Sequence, residues 1–436
     1  MECLHFLGVM DAFLARGTKL QGFDMHHAGR RVTGLSVGGV ESRYNYLLSI
    51  EQSETERILL AAVEAAGITV ERGIELTGFV ADDAGVQARL RSLTGRAETV
   101  MCDWLVGCDG AHSAVRHGLG LPFEGAAYED DLRLADCRID WGLAPDRGHA
   151  FLRADGPVAA IPLPRGRWRL IAFAPPGTPV EDPTLAWFAE RLHGVAPTGT
   201  FLSDVEWLAR FKIHRRMVPR YREGRVFVAG DAAHIHSPIG GQGMNTGIMD
   251  AFNLGWKLAD VAHGAPTALL DTFNTERHAV AASVLRLTDI ATRRMASTGA
   301  LSLSLRLLLL PLLFASRRVQ TRLATAFSHL SVTYRSAAVG PGGGGRIIDS
   351  PLIAPDGTAV QVHDLLRADR RTLFLLDGAP PRALQGQPAG TNLVCIGRIP
   401  VGRIYGDPAG TLADRYSAAA IMVRPDGVIE WIRRRP

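Results

Sequence analysis

The pattern of apolar and polar residues predicts alternating short helices and strands up to about residue 122. Ser53 and Glu56 have the spacing of a capping box, so a helix is predicted to begin there, and Gly67 is expected to end it. The strands predicted in this part are residues 68–70, 75–80, 86–90 and 104–107, with a hairpin turn at 82–85.

The middle of the chain has a different pattern. Residues 123–211 contain strand-like pieces, proline–glycine turns at 164–166 and 175–177, and a helical period only over 185–192. This predicts an antiparallel sheet layer that walls a pocket. A buried strand at 225–229 is then expected to lead through a glycine-rich loop into a long helix that stops at His263-Gly264.

The last hundred residues indicate a separate small unit. Helical sequence continues to about Tyr334, and Pro341 with the four glycines after it predicts a flexible linker over 341–345. Behind the linker, the pattern predicts strands at 373–376 and 393–396 and a hairpin formed by 420–423 and 428–431.

Composition places the chain among ordinary globular proteins. It has 436 residues, of which 47% are hydrophobic and 21% charged, so disordered and fibrous classes are excluded and two or three domains are expected. Only three of the 48 basic residues are lysine, which fits a GC-rich coding genome. The arginines are interleaved with 44 acidic residues and form no basic stripe, so no nucleic-acid partner is expected.

Cysteine usage and hydropathy bear on the compartment. The five cysteines are scattered without metal-binding spacing, which favours a reducing cytoplasm, and no signal peptide is recognised at the start. The one apolar run to consider, 301–314, contains Arg306 and Pro311 and is shorter than the roughly 20 residues of a membrane span. We therefore expect a buried helix there and no membrane partner.

The strongest chemical signal is the loop between the buried strand at 225–229 and the long helix. It reads Gly-Asp-Ala-Ala-His at 230–234 and Pro-Ile-Gly-Gly-Gln-Gly-Met-Asn at 238–245. Its glycines allow a ligand close to the backbone, and the helix N-terminus presents unpaired N–H groups suited to an anionic oxygen. Asp231 has the chemistry to accept hydrogen bonds from sugar-like hydroxyls. The alternative interpretation is a plain glycine-rich turn.

These residues carry a resemblance to a known family. Residues 230–257 resemble the FAD-contacting "GD" segment of class A flavoprotein monooxygenases of the para-hydroxybenzoate hydroxylase type, and 109–116 resemble the "DG" segment of that family. The resemblance covers nearly the whole chain and is nearest to aromatic polyketide hydroxylases and phenol hydroxylases with a thioredoxin-like tail. Residues 346–436 resemble that tail without its CxxC, so a structural or dimer-forming role is expected for them.

The resemblance implies a mixed α/β fold and an FAD site. An incomplete Rossmann-like FAD-binding domain would comprise 1–122 and 212–340, and a substrate-binding sheet domain would comprise 123–211 with parts of 20–50. Asp231 would bind the ribityl chain, Gln52 the flavin nucleotide, and Asp109 and Arg116 the pyrophosphate side. The full set of implied FAD-binding residues is Gln52, Asp109, Arg116, Gly230, Asp231, Pro238, Gly241, Gly243, Met244 and Asn245.

Two of these positions also have a structural interpretation. Gln52 could be a polar residue that leads a helix, and Arg116 could be salt-bridged on a helix surface. The paired histidines also have two interpretations. For His234 and His236 we favour a supporting position behind the site over a catalytic or metal pair, and His26-His27 is interpreted as a loop or edge-strand pair.

One departure from the family pattern stands out. The family opens with a strand, a GxGxxG turn and a helix that bind the ADP half of FAD. This sequence contains none of them, and about forty family residues are expected to precede its first residues. Either the start codon is misassigned or the chain is a truncated product, in which case strand edges are exposed and FAD binding falls.

The implied activity is hydroxylation of an aromatic ring, consuming NAD(P)H and dioxygen, through a flavin C4a-hydroperoxide that transfers its distal oxygen to a polyketide or phenol-type substrate. No dedicated catalytic acid, base or nucleophile is recognised. A homodimer is also expected. The alternative hypotheses are an inactive, truncated remnant that keeps only ligand or partner binding, and a flavin reductase or halogenase on the same scaffold.

Overall fold

The structure, a computed structural model, describes residues 1–175, 178, 181–376, 388, 390–400 and 402–434, except the side chains of 129, 130 and 296. Part of the predicted turn at 175–177 lies outside the described residues. The α-helices are α1 (Glu2–Phe6), α2 (Met10–Leu14), α3 (Gln52–Ala65), α4 (Ala114–Gly118), α5 (Leu185–Leu192), α6 (Gln242–Ala262), α7 (Asp271–Phe273), α8 (Ala279–Ala296), α9 (Ala300–Ala315), α10 (Arg317–Phe327) and α11 (Thr411–Tyr416).

The strands of the described residues form five sheets. They are β1 (Thr18–Leu20), β2 (Gly22–His27), β3 (Arg30–Ser36), β4 (Leu47–Ser49), β5 (Ile74–Ala81), β6 (Val86–Ser92), β7 (Ala97–Cys102), β8 (Leu105–Gly107), β9 (Glu124–Asp140), β10 (Gly148–Phe151), β11 (Val158–Leu163), β12 (Arg167–Phe173), β13 (Phe201–Met217), β14 (Arg222–Glu223), β15 (Val226–Val228), β16 (His234–Ile235), β17 (Pro351–Ile353), β18 (Ala359–Gln361), β19 (Thr372–Leu376), β20 (Asn392–Gly397), β21 (Tyr405–Gly406), β22 (Ala418–Val423) and β23 (Ile429–Arg434).

The local predictions for the first 122 residues are mostly confirmed. The hairpin forms as β5 and β6, with β7 as a third antiparallel strand. Helix α3 also forms, and Gly67 follows it with φ +77°. However, the helix begins at Gln52 with Glu51 as its N-cap and no side-chain cap, so the capping box predicted at Ser53 is wrong. The strand predicted over 68–70 is wrong too, because those residues have no strand pairing.

The predicted substrate layer is an eight-stranded sheet with the order β16-β13-β9-β12-β11-β10-β2-β3. It is antiparallel except where β10 runs parallel to β2. Helix α5 covers one face, where Phe188 and Leu192 pack against Ala135, Leu170 and other buried side chains. The two strands β2 and β3 come from residues before 50. His26-His27 lie in β2, the second strand from the edge, so the loop or edge-strand interpretation is wrong.

The predicted FAD-binding part has a core of its own, built around β15 and the helices α4, α6 and α7. Its sheet has the order β14-β15-β8, and β15 runs parallel to β8. This single parallel pair corresponds to the incomplete Rossmann-like sheet expected from the sequence. Strand β8 is the last strand of this sheet, so its outer edge has no strand partner within the described residues.

The C-terminal part forms a seven-stranded sheet with the order β18-β17-β21-β20-β19-β22-β23 around a third core. The predicted strands and hairpin are all present. The glycines of the predicted linker are hydrogen-bonded to the C-terminal sheet. The N–H groups of Gly340 and Gly344 donate to the carbonyls of Glu430 and Ile429 in β23. A Cβ on Gly343 would lie 2.4 Å from the Glu430 carbonyl oxygen, so this close approach requires glycine. The mixed α/β fold is therefore confirmed, and the thioredoxin-like character and the domain boundaries remain predictions.

Helix α9 contradicts one expectation. The run 301–314 was expected to be buried, but none of the residues in α9 is buried. Leu301 is 75% exposed and Leu312 is 66% exposed. Among the described residues no single helix is both long and apolar enough to cross a bilayer; one bent pair, Thr267–Met295 with Ala300–Ala315, qualifies by length and composition alone.

Candidate functional site

The glycine–aspartate loop follows β15 at the centre of the FAD-binding part. The N–H of Ala229 donates to the Gly107 carbonyl at the end of β8, and the chain then turns through Gly230, whose φ is +58°. A Cβ on Gly247 of α6 would lie 3.4 Å from the Gly230 Cα. The loop therefore packs backbone against backbone on the helix that follows it, which only small residues allow.

Helix α6 begins with its N-terminus uncovered. Its N-cap is Gly241, with φ +64° and no side-chain cap for the first N–H groups. A Cβ on Gly241 would meet no atom within 4 Å, and Gly241, Met244 and Asn245 are all exposed. The Asn245 amide donates to the Gly241 carbonyl at 2.7 Å and shapes this first turn. A 21-residue helix thus presents free N–H groups and a partial positive charge to an open space.

Asp231 lies in the loop beside this space. Its side chain is exposed, and its carboxylate makes no hydrogen bond or ion pair with any described residue. Nearby, the His236 ring lies 4.0 Å from where a Cβ on Gly243 would be, and its buried Nε2 has no partner in the described structure. One opening is therefore lined by the free N–H groups of α6, the Asp231 carboxylate and the unpartnered Nε2 of His236. These groups fit a flavin with its ribityl hydroxyls.

The loop before α6 is held from behind by residues that the sequence did not reveal. The buried Gln242 amide donates to the carbonyl of Gly240 at 2.8 Å and to that of Phe327 in α10 at 2.9 Å. Its oxygen accepts a hydrogen bond from His329 Nε2. Burial and the charge of Arg277 lower the pKa of His329 to about 4, so this ring is neutral at pH 7. These contacts fix the open turn in place.

A second buried network supports the glycine–aspartate loop. Asp250 of α6 accepts the Gly230 N–H at 3.1 Å and bonds to His234 Nε2 at 2.8 Å. Its other oxygen accepts from Arg277 Nε at 2.7 Å, and Arg277 also donates to the Tyr334 hydroxyl. Burial alone would raise the pKa of Asp250, but the charges of Arg277 and His234 outweigh it and lower that pKa. The carboxylate therefore stays ionised. It holds the loop through Gly230 and His234 and is itself held by Arg277.

The aspartate–glycine segment lies against the same loop. Asp109 is exposed and accepts the Val115 N–H at 3.1 Å, while Ser113 caps α4. Arg116 is 3% exposed and donates to the carbonyl oxygens of Ala111 and Ala232 at 2.8 and 3.1 Å. Arg116 therefore joins the two segments that are predicted to contact FAD, and it is not the salt-bridged surface residue of the alternative interpretation. Its role beside the pyrophosphate remains a prediction.

Gln52 makes no hydrogen bond to the other predicted site residues within the described structure. It is the first residue of α3, is exposed, and donates to Glu56 at 3.0 Å. Its neighbour Glu51 pairs at 2.8 Å with Arg165, which lies in the turn between β11 and β12 of the substrate sheet. Gln52 thus lies where α3 meets the sheet, and its contact with a nucleotide remains a prediction. Pro238 is half-buried and follows the buried Ser237 in the loop that leads into α6.

The histidine pairs have structural partners. His234 is fully buried on Asp250, and His236 Nδ1 lies 2.9 Å from the Ser237 carbonyl. His26 Nε2 lies 3.1 Å from His149 Nδ1 inside the sheet core. Among the described residues no group of three or more His, Cys, Asp or Glu side chains could hold a metal ion. His234 therefore lies behind the glycine–aspartate loop, in the supporting position expected from the sequence.

Comparison with known proteins gives the family of this chain. The sequence profile of the family described as FAD binding domain matches residues 1–288. This chain belongs to that family. FAD is accordingly its cofactor, and NAD(P)H is the reductant usual for the family.

Named relatives of this chain are monooxygenases of aromatic compounds. The 6-methylpretetramide 4-monooxygenase of Streptomyces rimosus is 34% identical, over 98% of this chain and 81% of that protein. Among solved structures, anhydrotetracycline hydroxylase OxyS from Streptomyces rimosus has a TM-score of 0.78 and 32% identity, covering 99% of this chain and 86% of that one. A ternary complex of aklavinone-11 hydroxylase with FAD and aklavinone has a TM-score of 0.77 and 26% identity, with the same coverage. The predicted FAD-dependent aromatic monooxygenase is confirmed.

Proposed function

We propose that this enzyme hydroxylates a planar aromatic compound of the polyketide or phenol type, with FAD as cofactor, NAD(P)H as reductant and dioxygen as co-substrate. The proposal includes a homodimer that acts in the cytoplasm. The observation that carries it is the uncapped start of α6 beside the unpaired Asp231 carboxylate, which together suit a flavin ring and its ribityl chain. The similarity to enzymes that act on tetracyclic polyketides supports the substrate class.

Bound FAD, once reduced by NAD(P)H, would supply the electrons that activate dioxygen for insertion into the ring. The chain's own part is to bind, orient and exclude water. The first N–H groups of α6 place a partial positive charge where a reduced, anionic ring needs it. Asp231 would hold the sugar-like chain, and the network from Asp250 to Arg277 keeps the loop in one conformation.

A row of small and apolar side chains on the uncovered face of the substrate sheet supports a binding platform for a planar substrate. The row follows directly paired residues across seven strands, with Ala150 and Ala159 between the larger Met25 and Ile171. All but the buried Leu134 are half-buried. The complete row is Thr33, Met25, Ala150, Ala159, Ile171, Leu134 and Ala209. Two alanines between larger neighbours leave a shallow groove, which suits a flat ring system better than a bulky aliphatic one.

The platform leads toward the flavin loop. Leu132 and Phe173, which continue the same sheet face, pack in one cluster with Ile239 of the loop and Met295 of α8. Ile239 lies two residues before Gly241, so apolar contact is continuous from the sheet face to the start of α6. An apolar path of this kind keeps water away from the position where oxygen would be transferred.

Binding of FAD tests the cofactor site. Asp231→Ala should weaken FAD binding at least tenfold, measured by titration of the full chain with FAD and the appearance of the flavin bands. Asp83→Ala, which changes an exposed aspartate in the β5–β6 turn, is the control and should bind as the unchanged chain does. If the two variants bind FAD equally well, Asp231 is not at the ribityl chain.

Binding of a substrate tests the platform separately from flavin chemistry. Ala150→Phe should fill the groove and weaken binding of aklavinone and anhydrotetracycline at least tenfold, measured by quenching of tryptophan fluorescence. Ala61→Phe, on the exposed surface of α3, is the matched control. Equal affinity in both variants would place the substrate elsewhere. NAD(P)H consumption coupled to a hydroxylated product would then test the activity itself.

A further inference from the structure

Helix α9 is apolar on two opposite sides, and only one side is covered. Leu303, Leu307, Leu310 and Phe314 are half-buried and face the rest of the protein. The opposite side contains four exposed leucines, Leu301 (75%), Leu305 (47%), Leu308 (62%) and Leu312 (66%), which we call the leucine seam. A helix that is apolar all round is normally buried. The leucine seam is therefore a surface that another element is expected to cover.

The spacing of the leucine seam indicates what covers it. Its residues are separated by four, three and four positions, and Ala315 continues the series after three more. This is the spacing of the a and d positions of helices that pack side by side. Leu309 widens the seam on one flank, and no charged side chain lies among the exposed residues of α9. The surface fits another helix with the same spacing and the same lack of charged groups.

We propose that the leucine seam pairs with the leucine seam of a second copy of this chain, antiparallel, about a two-fold axis near Leu308. This deepens the proposed homodimer by naming its interface, and it is independent of the flavin chemistry. The seam is nearly symmetric about Leu308: Leu301 and Ala315 lie seven positions to either side, and Leu305 and Leu312 lie three before and four after. Leu301 would then face Ala315 of the second copy, and Leu305 would lie within one position of Leu312. An isologous interface requires such self-complementarity.

Charge favours the antiparallel arrangement. Arg317, Arg318 and Arg322 are exposed at the start of α10, just after α9, and no acidic residue occurs between Asp289 and Asp349. In a parallel pair the two arginine groups would lie side by side and repel each other. In an antiparallel pair they lie at opposite ends of a helix about 24 Å long at 1.5 Å per residue. That separation exceeds the Debye length of about 8 Å at physiological salt, so repulsion is screened.

The mass of the full chain in solution tests the proposal. At micromolar concentration, light scattering should give twice the 47.0 kDa of one chain. Leu305→Glu and Leu308→Glu should each give a monomer with unchanged circular dichroism. Leu93→Glu, at a 91% exposed leucine in the β6–β7 turn, should stay dimeric. A monomeric parent chain, or a dimer that both glutamate variants leave intact, overturns the proposal.

Crosslinking tests the geometry. Under mild oxidation Leu308→Cys should form a disulfide-linked dimer, because the two positions face each other across the axis, whereas Leu301→Cys should not. Crosslinking of both variants would show a parallel pair and overturn the antiparallel interface. The unchanged chain, with its exposed Cys108, provides the background. If the parent chain is monomeric and sediments with phosphatidylglycerol vesicles instead, the seam binds a lipid surface and the dimer is wrong.

Discussion

The carboxylate of Asp250 accepts the backbone N–H of Gly230 at 3.1 Å, which ties the glycine–aspartate loop to the middle of the helix that follows it. The residues are twenty positions apart, and the same carboxylate also binds Arg277 and His234. The conformation of the glycine–aspartate loop therefore depends on one buried charge cluster behind it. Changes in this cluster should reach the cofactor site through the loop backbone.

We expect Asp250→Asn to be strongly destabilising. The substitution keeps the shape of the side chain and leaves Arg277, which is 1% exposed, without its buried counter-ion. Breaking a buried pair in this way costs about 3–5 kcal/mol. Urea unfolding followed by circular dichroism measures the loss. Asp231→Asn, at an exposed carboxylate, should change stability by less than about 0.5 kcal/mol, and equal losses in the two variants would contradict the prediction.

Gly241→Ala should weaken FAD binding more than it weakens the fold. Its Cβ would project into the open space at the start of α6, where the flavin ring is proposed to lie. Gly67, just past the end of α3, has a φ of +77°, close to the +64° of Gly241, and no atom within 4 Å of an added Cβ. Gly67→Ala therefore has a similar backbone strain, about 1 kcal/mol, away from the start of α6. FAD titration should separate the variants by at least tenfold; similar affinities would move the flavin away from Gly241.

The contact between α6 and the C-terminal sheet should be lost in acid. Glu276 pairs with Lys257 and Arg424, and all three side chains are fully buried. Burial alone would raise the pKa of Glu276, but hydrogen bonding and charge from Arg424 and the charge of Lys257 lower it from 4.5 to about 2. Because the unfolded chain binds this proton first, the stability from Glu276 is present above pH 4.5 and is lost between 4.5 and 2.

The Glu276→Gln variant tests this assignment. It should cost about 3–5 kcal/mol at pH 7, since Arg424 and Lys257 lose a buried partner. It should also flatten the fall in the urea midpoint between pH 4.5 and 2. Glu223→Gln, at an exposed glutamate in β14, is a control for the removal of one carboxylate. A pH profile as steep as that of the parent chain would assign the acid sensitivity to other groups.

Two buried histidines should lower the free energy of unfolding at pH values above those at which Glu276 acts. Burial and the charge of His149 lower the pKa of His26 from 6.5 to about 4, and burial with the charge of Arg277 does the same for His329. Between pH 6.5 and 4 the unfolded chain takes up protons that the folded chain does not, so the free energy of unfolding decreases as pH falls. Urea midpoints across this range measure it. His26→Gln and His329→Gln should each reduce the slope, and an unchanged slope in both contradicts the assignment.

The sequence by itself determined the features whose cause lies in neighbouring residues. The β5–β6 hairpin, α5 at 185–192 and the stop of α6 at His263 depend on turn residues and on local periodicity, so they were predicted with nearly the observed bounds. The glycine–aspartate loop was recognisable because its chemistry is contiguous, from Gly230 to Asn245. The family followed from the same contiguous residues.

Only the tertiary structure decided which side chains support the site and which surfaces are covered. Gln242 and His329 are 87 positions apart and meet because α10 folds back onto the loop, and no local pattern marks either residue. The seven-residue row on the sheet depends on strand register across distant parts of the chain. Helix α9 was expected to be buried from its hydropathy, yet it is exposed. Burial depends on whether a neighbouring element lies against a face, and that is a property of the assembled fold, not of the segment's own composition.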